Sequence, residues 1–130
     1  TEGDPTIRAK LRQIRMERGR QRMMAQVPNA SVVITNPTHF AVALAYESDA
    51  MSAPICVAKG ADVIAHRIRE VAKDNDVPIV ENPPLARALF SSVDLDEEVP
   101  QEHYQAVAEI ISYVWNLKGR SMPKETASAG

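Results

Sequence analysis

Cysteine occurs once in these 130 residues, at Cys56, tryptophan once and phenylalanine twice. No apolar run approaches the roughly 20 residues that a membrane-spanning helix needs, and no signal-peptide pattern opens the chain. A single cysteine excludes an internal disulfide and fits a reducing compartment. Set in an apolar segment with nothing spaced to activate it, Cys56 reads as a small buried hydrophobe and not as a nucleophile. Histidine is also scarce. His39, His66 and His103, taken with Cys56, have no metal-ligand spacing, so neither a metal nor a cofactor is expected, and His66 and His103 read as surface residues. Lys59-Gly60-Ala61-Asp62 lacks the glycine count of a phosphate cradle, which leaves Gly60 as a strand-to-helix turn. The 45% hydrophobic content is enough for one core, and taken alone it implies only a globular domain.

Charge is present, but unevenly. Residues 8–22 hold seven of the 15 Lys and Arg (Arg8, Lys10, Arg12, Arg15, Arg18, Arg20, Arg22) against Glu17 alone, whereas from Met23 onward there are eight bases and 14 acids. A basic stem therefore leads into an acidic body. Nucleic acid is not the expected partner, because no base-reading motif accompanies the stem and the body would repel phosphate. A stem leaving a membrane explains the asymmetry better than a plain solvated linker, since cytoplasmic flanks favour Lys and Arg and anionic lipid attracts them.

The chemistry concentrates in Asn36-Pro37-Thr38-His39, directly after Ser31-Val32-Val33-Ile34-Thr35. Asparagine commonly deamidates when the next backbone nitrogen attacks its side chain, but Pro37 has no N–H, so that route is closed. What remains is attack by the Asn36 side-chain nitrogen on its own main-chain carbonyl, which gives a C-terminal succinimide and releases Pro37 as a new amino terminus. An amide is a poor nucleophile and needs help. His39 can accept or deliver the proton, a task that suits histidine as a residue type. Thr38 offers a hydroxyl to hold the turn or the oxyanion. Geometry can supply up to about 7–11 kcal/mol in favourable intramolecular cases. The alternative is a β-turn with no chemistry, Asn at its start and Pro at its second position. Asn82-Pro83 is an internal control: followed by Pro84 and Leu85, it fits a helix N-cap with proline at the first helical position.

Periodicity sketches the rest. Ile7, Leu11 and Ile14 predict a stem helix from about Pro5 toward Gly19, with 19–30 as connector; Met23 and Met24 read as a partly buried stem contact. Strands are expected at Ser31–Thr35, Phe40–Tyr46, Pro54–Ala58 and Val77–Val80. An amphipathic helix from Ala61 to about Asn75 joins the last two, a strand-helix-strand unit that favours parallel pairing. A short helix follows Asn82, and a longer one, from about Pro100 to Lys118, has Trp115 as a core anchor. Lys59 would approach the Asn36 turn if its strand lies beside Phe40–Tyr46. The fold expected is α/β, a small mixed sheet of about four strands surrounded by about four helices. A basic helical stem (1–30) precedes the globular part (31–118), and a flexible tail (119–130) follows.

Ile34-Thr35-Asn36-Pro37-Thr38-His39-Phe40-Ala41-Val42-Ala43-Leu44 resembles the self-cleaving segment of the FlhB/YscU family, the export-switch proteins of flagellar and injectisome type III secretion. Val57-Ala58-Lys59-Gly60-Ala61-Asp62, Val77 through Leu89 and Tyr104 through Glu109 extend the resemblance over about residues 2–118, and their wording is similar to the flagellar branch. The resemblance implies single-turnover self-cleavage at Asn36-Pro37, which permits the switch from rod and hook-type to filament-type export substrates. It implies a polytopic membrane domain ahead of Thr1 and a place on the cytoplasmic face of the bacterial inner membrane. The implied partners are other export-gate components, export substrates and a hook-length regulator, with a recognition surface at Pro83, Pro84, Leu85 and Arg87. The competing reading is a non-cleaving docking module in which Asn-Pro-Thr-His is only a turn.

Overall fold

Val32-Val33-Ile34-Thr35 puts apolar or β-branched side chains on both faces of a strand, which suits only a position inside a sheet with both faces covered. The computed structural model, which describes residues 3–37, 39–47 and 52–117, has them there. Strand β1 (Val32–Asn36) lies between β2 (Phe40–Ala45), antiparallel to it, and β4 (Ile79–Glu81), parallel to it; β3 (Ile55–Ala61) runs antiparallel outside β2. The sheet order is β3-β2-β1-β4. The mixed four-stranded sheet with helices around it is the α/β architecture expected.

Strand pairing departs from the local expectation. Helix α2 (Asp62–Asp74) does connect β3 to β4, but the two strands sit at opposite edges of the sheet, and the parallel partner of β4 is β1. On its inner side β3 is already paired with β2, and along its outer side runs the acidic stretch. There the Asp96 N–H donates to Cys56 O at 2.7 Å, the Cys56 N–H to Glu97 O at 3.0 Å and the Val99 N–H to Pro54 O at 2.9 Å. Strand β3 also runs longer than expected, through Gly60 to Ala61. Gly60 is the close-approach point: a Cβ there would overlap Cγ2 and Cβ of Ile64 in the first turn of α2.

The two sheet faces differ in side-chain size. Under α2 lie Val33, Ala41, Ala43 and Ala58, packed with Ala65, Ile68 and Ala72, so the helix settles close to the strands. The opposite face carries Val32, Ile34, Val42, Leu44 and Cys56. It is covered by helix α3 (Pro83–Ser92) through Leu85, Ala86 and Leu89, and by α4 (Tyr104–Leu117) through Val107, Ile111 and Val114, with half-buried Trp115 packed against them.

Helix α1 (Pro5–Gln26) starts on Asp4, whose carboxylate accepts from the Thr6 N–H at 2.8 Å, with Pro5 at the first helical position. It does not stop at Gly19. Nothing requires a glycine there, since a Cβ would meet only the far end of Arg22 at 4.0 Å, and the good helix formers from Arg20 to Gln26 carry the helix on to a short 3-10 turn at Val27–Asn29. Met23 and Val27 are buried in the α2-side core, so the end of the stem packs with the body, while Ile7, Leu11 and Ile14 stay exposed. No helix among the described residues is long and apolar enough to cross a membrane. Residues 118–130, which include the expected tail, lie outside the described residues.

Candidate functional site

Asn36 is the last residue of β1 and pairs with Phe40, the first of β2, which leaves a three-residue hairpin loop at 37–39. Within it the His39 N–H donates to Asn36 O at 2.9 Å, the closing bond of a β-turn with Pro37 second. That oxygen belongs to the carbonyl joining Asn36 to Pro37. A backbone donor therefore already sits on the atom that would gain negative charge if the carbonyl were attacked, at a distance usual for an oxyanion donor. Asn36 is half-buried, and Pro37 and His39 are exposed. Thr38 lies outside the described residues.

Both flanks of the turn are held. The Asn82 N–H donates to Thr35 O at 2.9 Å, and the Asp62 N–H donates to His39 O at 2.9 Å. A third hold is aromatic: the Phe40 ring stacks on Phe90 of α3 with centroids 4.5 Å apart, and the His39 ring lies 6.4 Å from that of Phe40. Helix α3 thus reaches the turn from both ends, through Asn82 just before it and through Phe90 near its last turn. Asn82 also performs the expected capping, its Oδ1 accepting from the Leu85 N–H at 3.3 Å.

Other residues singled out in the sequence fall elsewhere. Lys59 does lie beside β2, opposite Val42, and its Nζ donates to Phe90 O at 2.9 Å and sits 5.3 Å from the centre of the Phe90 ring, so it holds the residue that stacks on Phe40. Of the suggested recognition surface, Pro84 and Arg87 are exposed, Pro83 is half-buried and Leu85, 7% exposed, turns into the core. His66 is exposed, with its Nε2 3.6 Å from Glu70. Cys56 is buried, and that burial pushes its thiol up to about 11 against a weaker opposing pull from Lys59, which keeps it neutral and unreactive. Sequence reasoning missed Asp62 and Phe90 as neighbours of the turn. Only the strand order brings them there.

A sequence model described as the FlhB HrpN YscU SpaS Family matches residues 1–114. The chain belongs to the FlhB/YscU family. Among family members, the Flagellar biosynthetic protein FlhB of Bacillus subtilis is 51% identical over 118 residues, 91% of this chain and 33% of that protein. This chain therefore spans about a third of the length of the curated relatives it matches. The crystal structure of the cytoplasmic domain of FlhB from Shewanella putrefaciens is similar with a TM-score of 0.72 at 43% identity, covering 78% of this chain and 81% of that one. The EscU C-terminal domain, mutated at an asparagine, matches with a TM-score of 0.66 at 27% identity over 68% of this chain and 89% of that chain. EscU is also solved with the proline after that asparagine mutated, and with a histidine two positions beyond the proline mutated (TM-score 0.55, 29% identity, 58% and 90% covered).

Proposed function

We propose that this chain is the cytoplasmic domain of a flagellar type III export protein that cleaves itself at Asn36-Pro37 by asparagine cyclisation and takes part in switching export substrate specificity. The observation that carries this reading is the His39 N–H on Asn36 O at 2.9 Å, within a turn pinned on both sides. The asparagine, proline and histidine mutated in the EscU structures have the spacing of Asn36, Pro37 and His39, which supports the same quartet as the seat of chemistry. Asn36 Nδ2 attacks the Asn36 carbonyl carbon, and the His39 N–H stabilises the oxyanion. The carbon–nitrogen bond to Pro37 then breaks; the proton lost from Nδ2, relayed by the His39 imidazole or water, ends on the Pro37 nitrogen. The products are a C-terminal succinimide on Asn36 and a free secondary amine at Pro37. No external reactant is consumed, and each chain reacts once. Thr38 assists through its hydroxyl.

In this reading residues 1–30 are a stem tying the domain to a membrane-embedded part on the cytoplasmic face of the inner membrane, 31–118 form the cleaving domain, and 119–130 are a tail. Export-gate components, export substrates and a hook-length regulator are the partners, and Pro83, Pro84 and Arg87 mark one recognition surface, from which Leu85, expected there, is withdrawn because it is buried in the core. Denaturing mass spectrometry of the purified chain at neutral pH tests the chemistry. Two species, residues 1–36 and 37–130, are expected, absent in Asn36→Ala and slower to form in His39→Ala. An intact 130-residue chain after long incubation returns the turn to a structural role in a docking module.

A further inference from the structure

Strand β3 passes into helix α2 without a loop residue: Ala61 still pairs with Phe40, and Asp62 is already the first residue of the helix. The reversal falls on Asp62, whose φ of 50° lies in the left-handed region that L-residues with a Cβ seldom occupy and that Asp, Asn and above all Gly tolerate. The extended Ala61 before it (ψ 153°) keeps the Asp62 N–H on His39 O at 2.9 Å, one step beyond the last ladder pair, and the left-handed φ lets the chain leave for α2 immediately afterwards without pulling that N–H away. It adds a rung inside the hairpin turn. His39 is held by its carbonyl from Asp62 while its own N–H meets the Asn36 carbonyl oxygen at 2.9 Å.

Resting on the self-cleavage reading above, we propose that Asp62 is a positioning residue for the cut at Asn36-Pro37, acting through its left-handed backbone and not through its carboxylate. The backbone N–H of Asp62 fixes the His39 peptide, and the His39 N–H in turn faces the oxygen on which charge develops. Strain at a non-glycine residue two hydrogen bonds from the reacting carbonyl, by way of the His39 peptide, is the kind that persists where a surrounding structure enforces it for function. A shift of about 1 Å in such a donor can cost up to about a hundredfold in rate.

The test is the rate of appearance of residues 1–36 and 37–130 in freshly translated full chain, followed by denaturing mass spectrometry across a pH series. The wild-type chain must cleave and Asn36→Ala must not; failure there removes the self-cleavage reading and not this inference alone. Given that, Asp62→Gly and Asp62→Asn, which keep φ near 50°, are expected to cleave at the wild-type rate with the wild-type pH profile. Asp62→Val, whose branched side chain resists this φ, is expected to slow cleavage by about tenfold or more. Asp96→Val is the matched control, because Asp96 is also left-handed (φ 67°) and also donates to a strand carbonyl, Cys56 O at 2.7 Å, but at the far end of β3. It should lose thermal stability comparably and cleave normally. Should Asp62→Val not fold, Asp62→Ala carries the same comparison. Slow cleavage in Asp62→Gly and Asp62→Asn, wild-type cleavage in Asp62→Val, or equal slowing in Asp96→Val would each overturn the proposal.

Discussion

The backbone N–H of Asn82 donates to the carbonyl oxygen of Thr35 at 2.9 Å, so one Asn-Pro pair of this chain holds the strand that ends in the other. The second pair thus supports the strand that leads to the first. The support continues along α3 to Phe90, whose ring meets Phe40 on the far side of the turn.

Asn82→Ala removes the Oδ1 that caps the Leu85 N–H and keeps the backbone N–H on Thr35. Stability should fall by about 1 kcal/mol, the usual loss for such a cap, read from urea denaturation. The cut should remain at Asn36. A fragment ending at residue 82 in either protein would contradict this division of roles.

Cleavage should leave the two pieces together. β1 belongs to the short piece, but both its neighbours, β2 and β4, belong to the long one, and Val32, Val33 and Ile34 are fully buried between the two cores. Each such side chain contributes about 1.5–3 kcal/mol by burial. Size-exclusion chromatography in native buffer should therefore elute residues 1–36 with 37–130, and separation should need denaturant. Loss of the short piece in native buffer would show that β1 is not held as described.

Burial raises the Cys56 thiol from an ordinary value near 9 to about 11. The unfolded chain therefore loses this proton before the folded chain does. The thiol's contribution to stability is complete below about pH 9 and is lost as pH rises through about 11, a change on the order of 2–3 kcal/mol. Denaturation midpoints at pH 8 and above pH 10 should differ in the wild-type chain, with the difference smaller in Cys56→Val. A thiol reagent at pH 8 should label Cys56 only after unfolding; rapid labelling of the native chain would refute its burial.

Gly60→Ala would force a methyl group into the first turn of α2 at Ile64. Overpacking of this kind costs about 1–3 kcal/mol. An unchanged urea midpoint would mean that α2 can move off the sheet at no cost.

Local signals were legible where one residue type does one job. Asp4-Pro5 and Asn82-Pro83 mark helix starts because a short oxygen-bearing side chain and a missing N–H suit those positions. The helical stripe Ala65-Ile68-Ala72 likewise shows in the sequence. Gly19 misled, because a single glycine costs a helix only about 1 kcal/mol and the residues after it outweigh that. Gly60 misled in the other direction: it is needed for close packing inside a strand and does not end one. For the site, Asn36, Pro37 and His39 could be read directly as neighbours in sequence. Asn82 and Phe90 could not, since they follow a strand order in which β4 skips β3 and β2 to pair with β1, and no local pattern encodes that; Asp62 arrives separately, through the pairing of β3 with β2.

The interior place of β1 also bears on force. While the Asn36–Pro37 bond is whole, tension applied through α1 passes down a continuous covalent chain into the body. Were it cut as proposed, the same tension would be carried by two ladders of hydrogen bonds, β1 against β2 and β1 against β4, together with Met23 and Val27 on the core. A cut at this bond would turn a tethered part into a clasped one, and a clasp, unlike a tether, can open under load.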